Sequence, residues 1–453
     1  MEFNHRTYEK GQTIAAVATP PGEGGIAVIR IAGKEALDVA DRIFSGPIFR
    51  YQSHTVHFGK ILGADGEVID EGLAIVMKGP RSYCGEDTVE LHCHGGTIIT
   101  RKVLEAALSA GARAAGPGEF TFKAFQNGKI DLTRAEAVQQ IIASKSELAW
   151  QAAESHLEGK LHKKIAGFQK ELTDIAAILE AWVDFPEEGL EFATKEELSQ
   201  SLQTLIRQME SLEETFHERK VLSTSFSLCL IGAPNVGKSS LMNALLGKER
   251  AIVTNIPGTT RDLIEEEIHL AGLTFRLIDT AGIRITDEVV EREGVRRSEK
   301  AAKEADLILY VQDVTSPSAV PFDLPEDKTV LIWNKIDLPH AEKPKNPFLH
   351  QVEVSAKETL GLDALKKAIH HVIWKGGAPS KEEVILTSHR HFAALTEAIQ
   401  ALKTVHEGLQ TDISPEFLVS DLRLGLKQLG TIIGINITEE VLSAIFSKFC
   451  VGK

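Results

Sequence analysis

The spacing of apolar residues divides the chain into regions of different texture. From Gln12 to about Pro117, short β-rich runs are separated by Gly, Pro and Asp turns, with one helical stretch around Thr97–Ala110. The β-rich runs are Gly25–Ile31, Thr55–Leu62 and Leu73–Met77. This alternation predicts an α+β domain.

Helical spacing dominates two later blocks, from about Ala135 to Leu222 and from about Lys381 to Lys448, the second interrupted near Asp412–Pro415. Apolar residues recur there at positions i, i+3, i+4 and i+7, which predicts amphipathic helices. Neither block is large enough for a bundle alone. We therefore expect the two blocks to pack together as one discontinuous domain, with the intervening segment inserted.

The intervening segment alternates short apolar runs with helical patterns, a rhythm that predicts βαβ units and a mostly parallel sheet. Near-continuous apolar runs such as LILYV are typical of strands buried on both faces. The predicted strands are Phe226–Ile231, Thr274–Asp279, Leu307–Gln312, Val330–Trp333 and Gln351–Val354.

Composition narrows the class of protein. The 453 residues, 43% hydrophobic and 25% charged, are typical of a soluble globular chain of about three domains. We find no apolar run long enough to cross a membrane and no secretory signal, so we expect no membrane partner. Four scattered cysteines favour a reducing, cytoplasmic location. The net charge of −14 disfavours a generic nucleic-acid binder, although a local basic face could still bind RNA.

A phosphate-binding loop is indicated after the first strand of the inserted segment. Residues 232–239, GAPNVGKS, match GxxxxGK[ST] between an apolar strand and a helical run. The glycines let backbone N–H groups surround phosphates, and the following helix presents its positive N-terminus to them. Lys238 would reach the β- and γ-phosphates, and Ser239 would bind Mg²⁺.

Three further segments follow in the order that a GTPase requires, each at the end of a predicted strand. Asp279 of DTAG can hold Mg²⁺ through water. Asp337 of NKID can accept two hydrogen bonds from guanine that adenine cannot supply, which predicts GTP rather than ATP. The predicted GTP-binding residues are Asn235, Val236, Gly237, Lys238, Ser239, Ser240, Thr254, Thr259, Thr260, Asp279, Thr280, Ala281, Gly282, Asn334, Lys335, Asp337, Ser355, Ala356 and Lys357.

One position departs from Ras-like GTPases. Ile283 follows DTAG, where those enzymes carry the glutamine that orients the attacking water. Isoleucine cannot orient water, so this role must fall to another residue. The adjacent Thr259 and Thr260 offer one hydroxyl to Mg²⁺ and leave oxygens for a second cation, and an acidic stretch lies downstream at 287–291.

Nearly end to end, the sequence resembles the MnmE (TrmE) family of bacterial tRNA-modification GTPases, within the TrmE-Era-EngA-like superfamily. Members of this family also have a G domain inserted into a discontinuous helical domain. Beyond the GTPase motifs, the resemblance rests on TPPGEGGIAVIRIAG at 19–33, YCGEDTVELHCHGG at 83–96, PGEFTFKAFQNGKIDLTRAEA at 117–137 and FCVGK at 449–453.

For the GTPase, the resemblance implies a homodimer whose two G domains meet during hydrolysis. A potassium ion would take the place of an arginine finger and neutralise transition-state charge. The implied Mg²⁺ ligands are Ser239 and Thr260, and the catalytic glutamate would be Glu291. The implied K⁺ ligands are Asn235, Thr254, Ile256 and Thr259.

For the modification chemistry, the resemblance implies a FAD- and NADH-using partner, MnmG (GidA). Together they would add an aminomethyl or carboxymethylaminomethyl group at C5 of the wobble uridine (U34) of certain tRNAs. The one-carbon unit would come from a 5-formyl- or 5,10-methylene-tetrahydrofolate bound in the N-terminal domain. The implied folate-binding residues are Arg30, Glu90, Lys129 and Lys453. The resemblance also implicates Cys450 as catalytic, because a thiol could add to C6 of uracil; an inert thiol is the equal alternative.

Without the resemblance, the implied folate-binding residues differ in how strongly the sequence around them indicates a functional site. Arg30 shares a strand face with Ile26 and Val28, where an arginine makes a poor core residue; a strand-edge salt bridge is the alternative. Lys129 and Lys453 alone would be ordinary exposed lysines.

Three weaker interpretations remain. A zinc site at 92–94, His-Cys-His, is disfavoured because neighbouring strand side chains point to opposite faces. Lys160, Lys163 and Lys164 form a small basic helical face that could touch tRNA, although a solvated surface is the leading interpretation. An Era-like ribosome-assembly GTPase is the alternative function, but we recognise no RNA-binding domain, and the folate motif and FCVGK favour tRNA modification.

The predicted fold is thus multidomain, α/β and α. It comprises an N-terminal α+β folate-binding domain at 1–120, a helical domain at 121–222 and 376–453, and an inserted Ras-like P-loop G domain at 223–375.

Overall fold

The computed structural model describes residues 11–144, 146–184, 193–216, 226–248, 267–270, 273–278, 299–318, 323–374, 384–411 and 413–453. They form two compact units. The first unit combines Met1–Ala143, Ala153–Ser211 and His389–Lys453. The second combines Ser144–Ala152 and Leu212–Ser388.

The regular elements are as follows. The strands are β1 Ile14–Val17, β2 Ala27–Ala32, β3 Thr55–Leu62, β4 Val68–Met77, β5 Thr88–Cys93, β6 Arg113–Ala114, β7 Phe226–Ile231, β8 Glu267–Leu270, β9 Leu273–Ile278, β10 Leu307–Asp313, β11 Thr329–Asn334 and β12 His350–Val354. The helices are α1 Ala36–Ile43, α2 Thr97–Ser109, α3 Glu119–Gln126, α4 Leu132–Ala143, α5 Glu147–Leu157, α6 Lys160–Asp184, α7 Lys195–Glu214, α8 Lys238–Lys248, α9 Leu362–Ile373, α10 His389–Gln410, α11 Pro415–Ile433 and α12 Glu439–Phe446.

The first unit contains a mixed six-stranded sheet in the order β3-β4-β5-β2-β1-β6. Its neighbouring strands are antiparallel except for the parallel pair β1 and β6. Along β2 and β5 every second side chain is buried, and the apolar core of α1, α2 and the sheet collects Ile29, Ile31, Val89 and Leu91. Mixed strands with helices form the α+β architecture predicted for this region.

One predicted strand of this sheet was too short. β4 begins at Val68, five residues before the predicted start at Leu73. Residues 68–72 carry little apolar signal, but they pair with the end of β3, Leu62 opposite Val68. The hairpin pairing, rather than burial, extends this strand.

Helices from both predicted helical blocks share one interior in the first unit. Gly425 of α11 leaves room for Leu402 of α10 and Leu172 of α6, so the three helices approach closely at this point. Leu172, Leu402 and Leu422 are fully buried. Leucines separated by more than two hundred residues therefore pack as neighbours, the arrangement that the apolar spacing predicted.

The second unit contains a six-stranded sheet in the order β12-β11-β10-β7-β9-β8. All neighbouring strands are parallel except the hairpin of β8 and β9. Alternate residues of β10 enter two separate cores: Leu309 packs on one face and Tyr310 on the other. The continuous apolar runs therefore belong to strands covered on both faces, as predicted.

β8 is a strand that the apolar runs did not predict. Its four residues lie at the edge of the sheet, where they pair antiparallel with β9. Ile268 and Leu270 are buried, but this short alternation gave too weak a sequence signal. Among the described helices, none is long and apolar enough to cross a membrane.

Candidate functional site

The GxxxxGK[ST] segment forms a loop between β7 and α8. Gly237 has φ +95, and a Cβ there would lie 2.2 Å from Nδ2 of Asn334, so both backbone conformation and space require glycine. Lys238 Nζ donates hydrogen bonds to the carbonyl oxygens of Gly232, at 2.7 Å, and Ala233, at 2.8 Å. Burial lowers the pKa of Lys238. This lysine is held inside the loop, where a phosphate would meet its charge.

Asn334, the first residue of NKID, links the two loops that flank the predicted nucleotide. Its Nδ2 donates to the Val236 carbonyl oxygen at 2.8 Å, and its Oδ1 accepts from the Ala356 N–H at 3.1 Å. The side chain is buried at the end of β11. One amide thus fixes the phosphate loop relative to the loop after β12.

Asp337 presents the carboxylate predicted to read guanine. It is exposed, and Ser355 Oγ donates to its Oδ1 at 2.6 Å. This hydrogen bond is the main cause of a lowered pKa for Asp337, which keeps the group ionised. Ser355 Oγ also accepts from the Glu358 N–H at 3.1 Å, so the serine that orients the carboxylate is itself oriented. Asn334, Asp337, Ser355 and Ala356 therefore lie together at the ends of β11 and β12.

Asp313 belongs to this cluster and was missed by the sequence analysis. Lys335 Nζ donates to Asp313 Oδ2 at 2.6 Å and to the Asn235 carbonyl oxygen at 2.9 Å. Burial alone would raise the pKa of Asp313, but its hydrogen bonds from Lys335 and Thr315 lower it overall. The available signal was its position as the last residue of β10, at the same sheet edge as the other motifs.

Several residues that the sequence singled out lie outside the described residues. They are Thr254, Ile256, Thr259, Thr260, Asp279, Thr280, Ala281, Gly282, Ile283 and Glu291.

A second polar cluster lies in the first unit, on the face of the sheet opposite its apolar core. Arg30 of β2 lies directly across from Glu90 of β5, and its Nε donates to Glu90 Oε1 at 2.8 Å. The guanidinium also lies 5.6 Å from the centre of the Phe120 ring. A salt bridge is therefore present, but it joins two interior strands rather than lying at a strand edge. Ile26 lies outside β2 and is 67% exposed.

The FCVGK segment docks beside this pair. Arg30 Nη1 donates to the Gly452 carbonyl oxygen at 3.0 Å. Gly452 has φ +94, and a Cβ there would lie 2.4 Å from the Val17 carbonyl oxygen, so only glycine fits. The Phe120 N–H donates to the Lys453 carbonyl oxygen at 3.2 Å, and Val451 bridges to Pro117. Two of the motifs that carried the resemblance, at 117–137 and 449–453, thus hold each other.

Lys453 is not the exposed lysine that its sequence context alone indicated. Docking of the segment partly buries its side chain, and burial lowers the pKa of Lys453. The nearby Arg30 charge lowers that pKa further, whereas Glu90 and Cys450 act in the opposite direction. Arg30, Glu90 and Lys453 therefore lie close enough to feel one another's charge.

Lys129 and Cys450 are both exposed, unlike the partly buried Arg30, Glu90 and Lys453. Lys129 is exposed and its Nζ donates to the Pro80 carbonyl oxygen at 2.9 Å; among the described residues, no hydrogen bond or ion pair links it to Arg30, Glu90 or Lys453. Cys450 is exposed, two residues before Gly452, and its carbonyl oxygen accepts from the Gly118 N–H at 3.3 Å. The backbone of Cys450 is anchored, and its thiol is accessible.

Tyr83 borders the same cluster and was not among the predicted residues. Its hydroxyl lies 2.9 Å from Thr121 Oγ1. Burial raises the pKa of Tyr83, although the Thr121 hydrogen bond and the Arg30 charge oppose this effect. Its place in the YCGED motif was the signal that could have identified it.

The three residues considered for zinc point in different directions. Cys93 is buried and its Sγ donates to the Ala27 carbonyl oxygen at 3.8 Å; burial raises its pKa to about 11. His92 lies on the other face, with its Nε2 3.6 Å from Glu90 Oε2. His94 Nδ1 contacts Asp70 at 2.9 Å. Within the described part of the chain, no three His, Cys, Asp or Glu side chains converge as a metal site.

Comparisons with known proteins agree with these motifs. A family model of the MnmE helical domain matches residues 132–450, and one of the GTP-binding protein TrmE N-terminus matches residues 13–129. The tRNA modification GTPase MnmE of Protochlamydia amoebophila (strain UWE25) is 58% identical over 460 residues, covering 100% of both chains. Proteins of the same name from Chlamydia pneumoniae and Syntrophotalea carbinolica are 43% and 44% identical, over 98% and 97% of this chain and 100% and 99% of their own.

The G domain of the T. maritima FeoB iron transporter matches 33% of this chain and 99% of its own length at 26% identity, with a TM-score of 0.22 that by itself establishes no shared fold. The full-length relatives and the two family models are decisive instead. The chain belongs to the MnmE family of tRNA modification GTPases.

Proposed function

We propose that this protein is a K⁺-dependent GTPase that modifies tRNA. With a FAD-containing MnmG (GidA) partner, it would add an aminomethyl or carboxymethylaminomethyl group at C5 of U34, using a one-carbon unit from tetrahydrofolate. The observation that carries the proposal is the docking of FCVGK on Arg30, the partner of Glu90, in a chain that also carries a guanine-type nucleotide site. A GTPase that acted only in ribosome assembly would need no such second site.

We assign the two sites to different domains. An N-terminal folate-binding domain at 1–120 and a helical domain at 121–222 and 376–453 would carry the modification chemistry. A G domain at 223–375 would act as the moving part, working as a homodimer in the cytoplasm. The main segment of the second compact unit, Leu212–Ser388, lies between two segments of the first, which supports an inserted G domain.

In the nucleotide site, Lys238 would meet the β- and γ-phosphates and Asp337 would select guanine. Mg²⁺ would be held by Ser239 and Thr260, and Glu291 would orient the attacking water. K⁺ would be held by Asn235, Thr254, Ile256 and Thr259. Of these cation ligands, Asn235 and Ser239 belong to the part of the chain that the structure describes. Both side chains are exposed at the phosphate loop, where a cation bound to the phosphates could reach them. The two cations would neutralise charge on the phosphate oxygens.

In the second site, the described residues fit a tetrahydrofolate derivative. Glu90 offers a carboxylate acceptor, while Lys453 and Arg30, which lies over the Phe120 ring, offer cationic donors. A pterin edge of alternating donors and acceptors and an anionic tail need this mixture of groups. Lys129, although separate from the other three, would reach the tail from the Pro80 loop. The bound cofactor would supply the one-carbon unit.

Cys450 would act on the uridine. Its exposed thiol, as thiolate, would add to C6 and make C5 nucleophilic, and C5 would then bond to the transferred carbon. Loss of the C5 proton would break the C6–sulfur bond, expel the thiolate and restore the ring. The backbone hydrogen bond from Gly118 and the fit of Gly452 would hold the segment in place.

The test uses the purified protein and its variants. GTP hydrolysis should rise with K⁺ but not with Na⁺, and the protein should bind 5-formyltetrahydrofolate. Glu291→Ala should abolish hydrolysis while nucleotide binding persists, and Cys450→Ser should abolish tRNA modification while hydrolysis persists. Absence of both the K⁺ response and folate binding would refute the proposal and favour an Era-like ribosome-assembly role.

A further inference from the structure

Helix α6 carries its charges in the order that opposes its own dipole. Its N-terminal part, residues 160–170, carries Lys160, Lys163, Lys164 and Lys170, whereas the remaining part, residues 171–184, carries Glu171, Asp174, Glu180 and Asp184. The first turn holds no acidic residue and the last turn no basic residue. Because a helix N-terminus is positive and its C-terminus negative, the reverse order would stabilise the helix.

Gly167 adds a second unfavourable feature to the lysine-bearing part of α6. It lies in the interior of α6, where glycine is a poor helix former. It is exposed, and a Cβ built there would meet no atom within 4 Å, so neither backbone conformation nor packing requires glycine.

The four lysines and Gly167 share one face. At about 100° per residue they fall within an arc of roughly 120°, away from the buried Leu161, Ile165 and Phe168. We call these five residues the α6 lysine face: Lys160, Lys163, Lys164, Gly167 and Lys170.

Among the described residues, three of these four lysines have no counter-ion. Lys160 pairs with Glu158 at 2.9 Å, but Lys163, Lys164 and Lys170 form no ion pair or side-chain hydrogen bond within the described part of the chain. All three are exposed. This concentration of positive charge stands out in a chain of net charge −14.

We propose that the α6 lysine face binds the sugar–phosphate backbone of the tRNA, an inference that rests on the proposed function. A polyanion explains all three features together. Phosphates would supply the missing counter-ions and favour the reversed charge order, and the absent side chain at Gly167 would let the RNA backbone approach the helix. An unfavourable charge order and an interior glycine that stabilise nothing within the protein are expected at functional surfaces. Lysines contact phosphates without reading bases, so this face would position different tRNAs alike.

The first test compares full-length wild type with the triple variant Lys163→Gln/Lys164→Gln/Lys170→Gln in filter binding of a tRNA transcript across a salt series. The variant should bind at least about tenfold more weakly, and the slope of log affinity against log salt should fall by roughly two to three. The control Lys34→Gln/Lys60→Gln/Lys102→Gln changes the net charge equally at exposed positions of the N-terminal sheet region. It should keep the wild-type slope, and both variants should keep GTP hydrolysis.

Equal affinity and slope in the lysine-face variant and the control would overturn this inference, while tRNA binding by wild type would leave the proposed function standing. Failure of wild type itself to bind tRNA would instead count against the proposed function. The second test is Gly167→Gln, which should protect α6 better against amide hydrogen exchange yet weaken tRNA binding several-fold. Unchanged or tighter tRNA binding by this variant would refute the close approach at Gly167.

Discussion

Glu136→Gln should destabilise the helical region of the first unit by removing the anion from a buried ion cluster. Glu136 of α4 accepts from Arg390 Nη2 at 2.8 Å and lies 2.6 Å from His391 Nε2, both on α10. Arg390 also donates to the Thr431 and Ile432 carbonyl oxygens at the end of α11. The carboxylate thus joins helices that belong to the two separate helical blocks.

The magnitude follows from the pKa of Glu136. Burial by itself raises that pKa, but the charges and hydrogen bonds of His391 and Arg390 outweigh burial and lower it from 4.5 to about 2. At about 1.4 kcal/mol per pH unit, this difference corresponds to roughly 3 kcal/mol of folding free energy at neutral pH. Because the folded pKa lies below the unfolded one, this contribution is complete above about pH 4.5 and is lost as the pH falls toward about 2.

The measurement is amide hydrogen exchange of α4 and α10 peptides, which reports the free energy of local opening. The variant should lose about 3 kcal/mol at neutral pH, and its difference from wild type should shrink to about half near pH 3. Glu180→Gln is the matched control, since Glu180 pairs with Arg423 of α11 at 2.7 Å but both side chains are exposed. It should cost less than about 1 kcal/mol. A loss in Glu136→Gln no larger than in the control, or one independent of pH, would refute the reasoning.

Three other predictions concern single positions. Gly237→Ala should weaken GTP binding at least about tenfold in fluorescent-nucleotide titration with unchanged circular dichroism, because its Cβ would lie 2.2 Å from Asn334 Nδ2 at φ +95; normal binding would show that the loop relaxes freely. Asp337→Asn should shift preference from GTP to XTP in competition titrations, since an amide donor matches the 2-oxo group of xanthine; retained GTP preference would contradict guanine reading by this carboxylate. Gly167→Ala should stabilise α6 by roughly 0.5–1 kcal/mol in hydrogen exchange, and unchanged protection would mean that the glycine does not weaken the helix.

The sequence alone predicted most of the described helices and strands and the convergence of the phosphate loop with NKID and Ser355. Apolar spacing with a period of 3.6 or of 2 is a local property, so it predicted the helices around α6 and α10 and the strands around β7, β10 and β11. The order of the GTPase motifs also predicted their convergence, because the carboxyl ends of parallel strands share one edge of the sheet. Asn334 and Asp337 accordingly lie within reach of the phosphate loop and Ser355.

Only the tertiary structure decided which distant residues meet. The hydrogen bond from Arg30 to Gly452 spans 422 positions. Partial burial of Lys453 in the docked segment, together with the Arg30 charge, lowers the pKa of this lysine. The pairing of Asp313 with Lys335 likewise matches no motif, and only the position of Asp313 at the end of β10 pointed to it. Such contacts form only when packing brings together residues that are far apart along the chain. Periodicity and motif spacing are measured over short stretches of sequence, so they cannot show these contacts.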